Sequence, residues 1–381
     1  MTAVYLDYNA TTPVDPRVAE EMEIFFKSGF GNPSSVHSHG REARAALDEA
    51  RERVAAFLGG SPSEYFFTSG GSESNNSAVK GAAFSRPGRR HVVTTEVEHS
   101  SCRESFDFLE KNGFEVTRLP VDSDGVPDIS ALKKSVSEKT ALVSCMHTNN
   151  ETGVVMPVET VGEVARSAGA LFHTDITQSA GKIPVDLSAL PVDLASVSSH
   201  KICGPKGAGA VFIRKGVASA PLIHGGGQER GKRSGTENTA AIAGFGKACE
   251  IALSEGAADM ERAAEMRDGF ESFVLAGIAG SWINGKTAQR VSNTSSFGIE
   301  GIDGESLVIA LDIEGFSVSN GSACSEGNVD PSKVLLAMGL GEKKAASCLR
   351  VSMGRFTTAP HIERLKTALV KCVETIRGAG N

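Results

Sequence analysis

The first two-thirds of the chain alternate short apolar runs of strand-forming residues with helix-like stretches. The strand-like runs cover residues 64–68, 91–95, 114–117, 141–145 and 171–174. Helix-like stretches such as 72–85 and 158–167 lie between them. Two further strand-like runs, 193–198 and 209–213, follow without a long helix between them. This alternation predicts an α/β domain around a mostly parallel sheet.

The alternation of strand-like and helix-like segments ends after residue 236. Two long helical stretches are predicted at 237–257 and 259–275, and we place a domain boundary near Gly256. The segments that follow are predicted as a strand at 291–298 and as helices at 305–313 and 361–377. This pattern is typical of a smaller α+β domain.

Composition excludes several classes of protein. The 381 residues include 39 basic and 46 acidic side chains, and only 6% are aromatic, which argues against a direct nucleic-acid ligand. No run reaches the ~20 apolar residues that span a bilayer, and the first residues do not resemble an export signal. Seven cysteines without a C-x-x-C pair argue against a disulfide scaffold and against a thiolate metal site. We therefore expect a cytoplasmic enzyme with reduced thiols.

Three motifs suggest anion binding or nucleophilic catalysis. The small residues at 68–74 (TSGGSES) join a strand to a helix, which suits an anion but is equally typical of an ordinary turn. The run at 226–232 resembles a phosphate-binding loop of ATPases, but Arg233 replaces the hydroxyl residue that would bind magnesium. The S-x-x-K at 198–201 follows a strand and lacks the partner motifs of penicillin-recognising enzymes. We reject the last two interpretations.

Lys201 and Asp175 stand at the ends of two predicted strands. In α/β folds this edge of the sheet forms the ligand crevice. His173 and Thr177 alternate with Asp175 and are predicted to share its face. A lysine and a carboxylate are what pyridoxal phosphate requires, one for a Schiff base and one to keep the ring nitrogen protonated. A structural ion pair between Asp175 and Lys201 is an equally good reading of their spacing.

Eight short motifs occur in one order along the chain. They are YLDYNATTP at 5–13, TSGGSES at 68–74, EH at 98–99, HTNNETG at 147–153, DITQ at 175–178, SSHK at 198–201, RSGT at 233–236 and GSAC at 321–324. The ordered set resembles the NifS/IscS group of cysteine desulfurases, pyridoxal-phosphate enzymes of fold type I in the class V aminotransferase superfamily. The resemblance implies a large cofactor-binding domain with a mostly parallel seven-stranded sheet (13–257). It also implies a small α+β domain (1–12 and 258–381).

The resemblance assigns roles around the cofactor ring. It implies that Lys201 carries the cofactor, that Asp175 partners the ring nitrogen, and that His99 stacks on the ring and helps to move protons. Gln178 and Asn150 are implied to lie near the ring hydroxyl and the substrate. Without the resemblance, a histidine after a strand is more often structural.

The resemblance also assigns the cofactor phosphate and the substrate carboxylate. The residues implied to hold the phosphate are Gly71, Ser72, Ser198 and His200, with Thr236 reaching over from a second subunit. That shared site implies an obligate homodimer. Arg350 is implied to grip the substrate carboxylate with its planar fork, although an arginine in a surface ion pair is the commoner case.

Cys324 is implied to carry the sulfur chemistry. It lies among glycines and small polar residues at 317–327, a composition that predicts a mobile loop suited to a thiolate that attacks in one place and delivers in another. The cysteines in apolar runs, which we predict to be packing residues, are Cys145, Cys249, Cys348 and Cys372. Cys102 and Cys203 remain ambiguous.

Three departures from the family pattern qualify the resemblance. Gly71 and Ser72 stand where Ala and Thr are usual, which preserves the backbone and hydroxyl donors. Ile176 replaces a smaller residue. The sequence ends at Asn381, whereas longer members continue into a tail that helps to dock an iron–sulfur scaffold protein.

The expected reaction converts L-cysteine to alanine and leaves a persulfide on Cys324. The sulfur acceptor could be an iron–sulfur scaffold or a thiolation enzyme. Two alternatives remain at this point. One is a related enzyme such as a selenocysteine lyase or an aminotransferase, and the other is a sulfur-carrier or scaffold-interaction protein that has lost catalysis. Retention of Lys201, Asp175 and His99 argues against the second.

Overall fold

The computed structural model describes residues 3–321 and 331–379, which contain twelve strands and eleven helices. The strands are β1 (Val4–Tyr5), β2 (Tyr65–Thr68), β3 (His91–Thr95), β4 (Glu115–Leu119), β5 (Thr140–Ser144), β6 (Leu171–Asp175), β7 (Leu194–Ser198), β8 (Gly209–Ile213), β9 (Ser281–Ile283), β10 (Thr294–Ile299), β11 (Phe316–Ser317) and β12 (Cys348–Ser352). The helices are α1 (Pro16–Lys27), α2 (Ser38–Leu58), α3 (Gly71–Phe84), α4 (Ser100–Lys111), α5 (Ile129–Ser135), α6 (Val158–Ser167), α7 (Thr239–Gly277), α8 (Gly304–Ile313), α9 (Lys333–Ala337), α10 (Glu342–Ala346) and α11 (Ala359–Ala379).

The large sheet has seven strands in the order β2-β8-β7-β6-β5-β3-β4. Strand β8 runs antiparallel to both of its neighbours, and the other adjacent pairs are parallel. The predicted mostly parallel seven-stranded sheet is therefore confirmed. Most of its strands are buried on both faces, as expected when helices cover a parallel sheet.

The boundaries of most predicted elements agree with the structure. One exception is Glu64, which we predicted in a strand and which lies in a short 3₁₀ turn, Pro62–Glu64. Its side chain accepts a hydrogen bond from the Ser61 backbone N–H at 2.8 Å and closes a capping box. This local side-chain contact delays the start of β2 by one residue.

Helix α7 corrects the prediction of two helices separated near residue 258. It is a single helix of 39 residues, about 58 Å long at 1.5 Å per residue, and Gly256 lies inside it. Its first half packs Phe245 and Cys249 into the core beneath the large sheet. Its second half packs Phe270 and Val274 into a second core. Burial of both ends favours helix continuity over the break that glycine predicts.

The second core lies around a three-stranded antiparallel sheet in the order β12-β10-β9. The first strand, β1, pairs in parallel with β11, so the start of the chain joins this core. Helix α8 begins after Asp303, whose carboxylate caps it, and packs with α11 against the sheet. No helix within the described residues is both long and apolar enough to cross a bilayer.

Candidate active site

A cavity of about 550 Å³ opens at the carboxyl edge of the large sheet, where β6 and β7 end. The predicted site residues that line it are Gly71, Ser72, His99, Asn150, Asp175, Gln178, Ser198, His200, Lys201 and Arg350. Thr236 is exposed and does not line this cavity. Cys324 lies outside the described residues. The fold thus brings ten residues from five separate sequence motifs and from β12 to one place.

Lys201 lies in a 3₁₀ turn, Ser199–Lys201, directly after β7. Its Nζ donates to the carbonyl oxygens of Asn9 at 2.6 Å and Ala10 at 2.7 Å. The N-terminal segment is fixed here because Thr12 donates to the His200 carbonyl through both its backbone N–H and its hydroxyl. The amine is therefore positioned at the cavity by a segment about 190 residues earlier in the sequence.

Asp175 is the last residue of β6 and is 5% exposed. Its Oδ2 accepts a hydrogen bond from Asn75 Nδ2 at 2.7 Å, and its Oδ1 accepts one from the Thr177 backbone N–H at 2.9 Å. Among the described residues no lysine, arginine or histidine lies within 4 Å of the carboxylate, so the structural ion pair with Lys201 is excluded there. A buried carboxylate at the cavity wall suits a cationic ring nitrogen of a ligand.

The predicted face of His173, Asp175 and Thr177 is only partly correct. Strand β6 ends at Asp175, so Thr177 reaches the cavity from the following turn. His173 is buried between the hydroxyls of Ser144 (2.8 Å) and Ser196 (2.9 Å) on the neighbouring strands, and burial lowers its pKa to about 4. His173 is therefore a neutral core residue.

His99 is the N-cap of α4, and its own imidazole is the cap. Nδ1 lies 3.2 Å from the Ser101 backbone N–H and 2.8 Å from the Ser101 hydroxyl. A backbone N–H can only donate, so Nδ1 accepts and the proton of the neutral ring is on Nε2. Burial lowers the pKa of His99, with contributions from Lys201 and Arg103, while Asp175 opposes them. The ring thus presents an Nε2–H donor.

The start of α3 forms an anion cradle. Gly70 precedes the helix with a φ of +146°, and Gly71 is its first residue. A Cβ at Gly71 would lie 3.3 Å from Thr177 Oγ1 and 3.5 Å from Ser198 Cβ, and the hydroxyls of Thr177 and Ser198 are both buried without a partner among the described residues. Unsatisfied hydroxyls beside a helix N-terminus fit a phosphate group.

His200 adds a neutral ring to this cradle. Its Nδ1 lies 3.1 Å from Thr11 Oγ1. Burial lowers its pKa to about 4, and the nearby Lys201, Lys206 and Lys182 contribute to the shift. At neutral pH His200 is therefore available as a hydrogen-bond donor rather than as a cation.

Arg350 lies in the middle of β12, at the side of the cavity opposite the large sheet. Its Nη2 donates to Asp7 Oδ1 at 2.6 Å, and its Nη1 donates to the Asn150 carbonyl at 3.0 Å. Its Nε is buried without a hydrogen-bond partner among the described residues. The guanidinium is therefore held in place by two contacts and retains donor capacity for a carboxylate.

Sequence reasoning missed several residues that organise the site. Four of them, Asp7, Asn9, Asn75 and Lys182, each contact a predicted site residue. The fifth, Glu98, accepts a hydrogen bond from the N–H of Met146, which lines the cavity. All except Lys182 stand within or beside quoted motifs, so proximity to a motif was the available signal. Lys182 follows four residues after Gln178, a helix-like spacing that alone indicates nothing.

The six described cysteines are unpaired and buried. Burial raises the pKa of all four predicted packing cysteines, which agrees with an inert role for those thiols. Cys203 is also buried and has a positive φ of 63°. None of these six thiols lines the large cavity.

The residues present fit pyridoxal phosphate. Lys201 supplies the amine, Asp175 the buried carboxylate, His99 a ring with an outward donor, and the α3 cradle unsatisfied hydroxyls for the phosphate. These groups lie around one cavity of suitable size. The substitution of Ala and Thr by Gly71 and Ser72 leaves the cradle intact.

Comparisons with known proteins agree with this geometry. A family model described as aminotransferase class-V matches residues 4–365. A protein of Dictyoglomus turgidum named cysteine desulfurase IscS is 46% identical over 375 residues, which cover 98% of this chain and 95% of that protein.

Two solved structures are similar over nearly their whole length. A structure described as a NifS-like protein has a TM-score of 0.92 and 40% identity, and covers 98% of this chain and 100% of its own. A structure of SspA in complex with cysteine has a TM-score of 0.83 and 36% identity, and covers 93% of this chain and 99% of its own. These similarities support the fold of both parts of the chain.

Proposed function

Because the chain belongs to the class-V aminotransferases and, within them, to the pyridoxal-phosphate-dependent cysteine desulfurases, we propose that it moves the sulfur of L-cysteine onto Cys324 as a persulfide. L-Alanine is the second product. The observation that carries this proposal is the convergence of Lys201, Asp175, His99 and Arg350 on one cavity. The similar SspA structure contains cysteine, which supports the choice of substrate.

Pyridoxal phosphate would be held by residues at the carboxyl edge of the large sheet. Lys201 would attach it, Asp175 would partner its ring nitrogen, and His99 would contact its ring. The group that holds the phosphate comprises Gly71, Ser72, Ser198 and His200, and Gln178 and Asn150 serve the ring hydroxyl and the substrate. When bound, pyridoxal phosphate supplies an electron sink for the bonds at the α-carbon of an amino acid.

Arg350 binds the substrate carboxylate. Asp7 and the Asn150 carbonyl fix two of its nitrogens, so the guanidinium does not need to be ordered when cysteine arrives. The buried Nε provides a donor that gains a partner only when a carboxylate is present. Arg350 therefore holds the amino acid by its carboxylate and fixes its orientation in the cavity.

Lys201 and His99 divide the proton transfers. With the cofactor bound, the Lys201 amine would be the base that takes the proton from the α-carbon of the amino acid. His99 has its proton on Nε2 because Nδ1 caps α4, so it begins as a donor. The lowered pKa of His99 keeps the ring neutral near pH 7.

Cys324 performs the sulfur transfer. Its thiolate attacks the substrate sulfur, an S–S bond forms, and the C–S bond breaks with its electron pair passing to the carbon skeleton. One thiol of the enzyme and one cysteine thus give one persulfide and one alanine, and no external reductant is needed. A thiolate is required because the neutral thiol is a poor nucleophile.

We propose a homodimer in which each subunit supplies Thr236 to the phosphate of its partner. The exposure of Thr236 and its position outside the cavity of its own subunit support this arrangement. The two hydrophobic cores support the division into residues 13–257 and residues 1–12 with 258–381, with α7 shared between them.

A protein thiol accepts the persulfide sulfur, on an iron–sulfur scaffold or a thiolation enzyme. We place the protein in the cytoplasm, because its six described cysteines are unpaired and a reducing compartment keeps them so.

The test is a product assay. The purified protein incubated with cysteine and a thiol reductant should release alanine and sulfide in equal amounts, and serine should give neither. Release of pyruvate instead of alanine, or equal rates with an unrelated amino acid as amino donor, would contradict the proposal.

A further inference from the structure

Lys182 is a buried lysine that no step above uses. It follows β6 and is 7% exposed. Lysine is rarely buried without a carboxylate partner, yet among the described residues no carboxylate lies within 4 Å of its Nζ. The nearby basic residues Lys201 and Arg350 disfavour a charge on Lys182 and so contribute to lowering its pKa. Burial of such a group is costly, so its position requires an explanation.

Two acceptors contact Lys182, and both belong to the site. Nζ donates to Asn9 Oδ1 at 3.0 Å and to Gln178 Oε1 in a short hydrogen bond. Burial, followed by Lys201 and Arg350, holds the pKa of Lys182 well below its ordinary value. An amine nitrogen carries at least two N–H groups, and these two acceptors supply partners for two of them.

The contacts of Gln178 fix the orientation of its amide. Its Nε2 lies 2.9 Å from the Asn9 carbonyl oxygen, which can only accept, so that end of the amide is the NH₂ group. The other end, which faces Lys182, is then the oxygen. Gln178 lines the large cavity whereas Lys182 does not, and the second Nε2 proton of Gln178 remains available for a ligand in the cavity.

The same network reaches Lys201. The Asn9 carbonyl oxygen accepts from Gln178 and also from Lys201 Nζ at 2.6 Å. The Asn9 side chain accepts from Lys182 through Oδ1 and donates through Nδ2 to the Asn150 carbonyl at 3.1 Å. One residue therefore connects the buried lysine with three predicted site residues.

We propose that Lys182 is a positioning residue of the cofactor site, which holds the Gln178 amide and Asn9 so that a Gln178 N–H faces the cofactor ring. Lys182 acts only through these two neighbours and does not touch the reacting atoms. The inference rests on the proposed function through the role of Gln178 at the ring hydroxyl.

The test compares cofactor affinity with fold stability. Lys182→Met removes the donors and retains a long apolar side chain, and it should weaken pyridoxal-phosphate binding to cofactor-free protein about tenfold, the loss typical of one buried hydrogen bond. The melting temperature of the cofactor-free variant should not fall, because a buried polar group without a counter-ion is replaced by an apolar one. Lys80→Met, at a half-buried lysine of α3 outside the cavity, is the matched control and should bind the cofactor normally.

A double-mutant cycle separates positioning from packing. In the Gln178→Ala background, Lys182→Met should cause little further loss of cofactor affinity, because the group that Lys182 orients is gone. Lys182→Arg, which retains donors, should recover part of the affinity and provides the comparison if the methionine variant does not fold.

Wild-type affinity in Lys182→Met, or fully additive losses in the double variant, would overturn the inference. A wild-type protein that fails to bind pyridoxal phosphate would instead overturn the proposed function.

Discussion

The two sides of the cavity are built from different parts of the chain. The cofactor side uses the ends of neighbouring strands and the starts of the helices beside them, so Asp175, Lys201 and His99 are placed by the large sheet. The substrate side uses Arg350 on β12, held by Asp7 from 343 positions earlier and by Asn150 from 200 positions earlier. The first side follows from the topology of a parallel sheet, whereas the second depends on contacts between distant segments.

This difference indicates a division of labour. We propose that the cofactor side contains the groups that attach the ring and move protons. The substrate side adjoins the second core through Leu349 and Val351, and we propose that it binds the carboxylate. Substitutions on the cofactor side should therefore lower kcat, and substitutions on the substrate side should raise KM for cysteine.

The largest effect is expected for Lys201→Ala. Loss of the amine that carries the cofactor and takes the α-proton should lower kcat by at least ~10²–10⁴-fold, the range for loss of a general base. Borohydride reduction of the wild type followed by peptide mapping should locate the cofactor on Lys201. Lys133→Ala, at an exposed lysine of α5, should retain full activity. Labelling of another lysine in the wild type would show that the cofactor side is assigned incorrectly.

Arg350→Lys should raise KM about tenfold or more and leave kcat nearly unchanged. An ammonium cannot reproduce a guanidinium that is held by two contacts while it binds a carboxylate, and a charged hydrogen bond is worth ~1.5–3 kcal/mol. Steady-state kinetics with cysteine as the varied substrate measure KM and kcat separately. An equal fall in kcat and in kcat/KM would instead place Arg350 among the residues that act in the transition state.

Asp7→Asn refines the same measurement. If Asp7 orients Arg350, loss of the 2.6 Å contact should raise KM by a smaller factor than Arg350→Lys does. A fall in KM would mean that Asp7 competes with the substrate for the guanidinium, and the interpretation of the substrate side would have to be reversed.

The smallest effect is expected from Glu98, which supports the cofactor side. Burial raises its pKa to about 7, and its Oε1 accepts from Thr95 Oγ1 at 2.8 Å and from the Met146 N–H at 2.9 Å. The folded protein therefore keeps the proton to higher pH than the unfolded chain does. Between the ordinary carboxyl pKa of 4.5 and about 7, the contribution of Glu98 to the free energy of unfolding falls as pH rises.

Glu98→Gln resembles the protonated acid and should remove this dependence. The melting temperature of the variant relative to wild type should be higher at pH 8 than at pH 5. Glu20→Gln, at an exposed residue of α1, should show a constant difference. A constant difference for Glu98→Gln as well would mean that Glu98 is ionised in the folded protein throughout this range.

The sequence predicts the cofactor side of the cavity better than the substrate side. Asp175 and Lys201 were predicted together because both end apolar strands, and parallel strands place their carboxyl ends at one edge. Arg350 was assigned only through the family resemblance, since nothing in the run from Cys348 to Ser352 indicates a partner near residue 7. Strand β1 pairs with β11, and Asp7 pairs with Arg350. Both are long-range contacts that local sequence patterns do not encode.

Helix α7 and Lys182 illustrate two other limits. The sequence predicted two helices, 237–257 and 259–275, with a domain boundary near Gly256, but packing against two cores keeps α7 continuous. Lys182 has an ordinary sequence setting, and only its burial between Asn9 and Gln178 distinguishes it. Cys324, by contrast, was assigned from composition and resemblance, and it lies outside the described residues.

The most direct test of the account separates the cofactor from the thiol of Cys324. The wild type treated with limited cysteine should contain one extra sulfur on the peptide that includes Cys324, as measured by mass spectrometry without reductant. Cys324→Ser should lose this persulfide and the release of alanine, because a hydroxyl is almost never ionised at neutral pH. The absorbance of its bound cofactor should still change when cysteine is added, since that response depends on Lys201 and Asp175. Sulfide release by Cys324→Ser at the wild-type rate, or an extra sulfur on a different cysteine, would contradict the account.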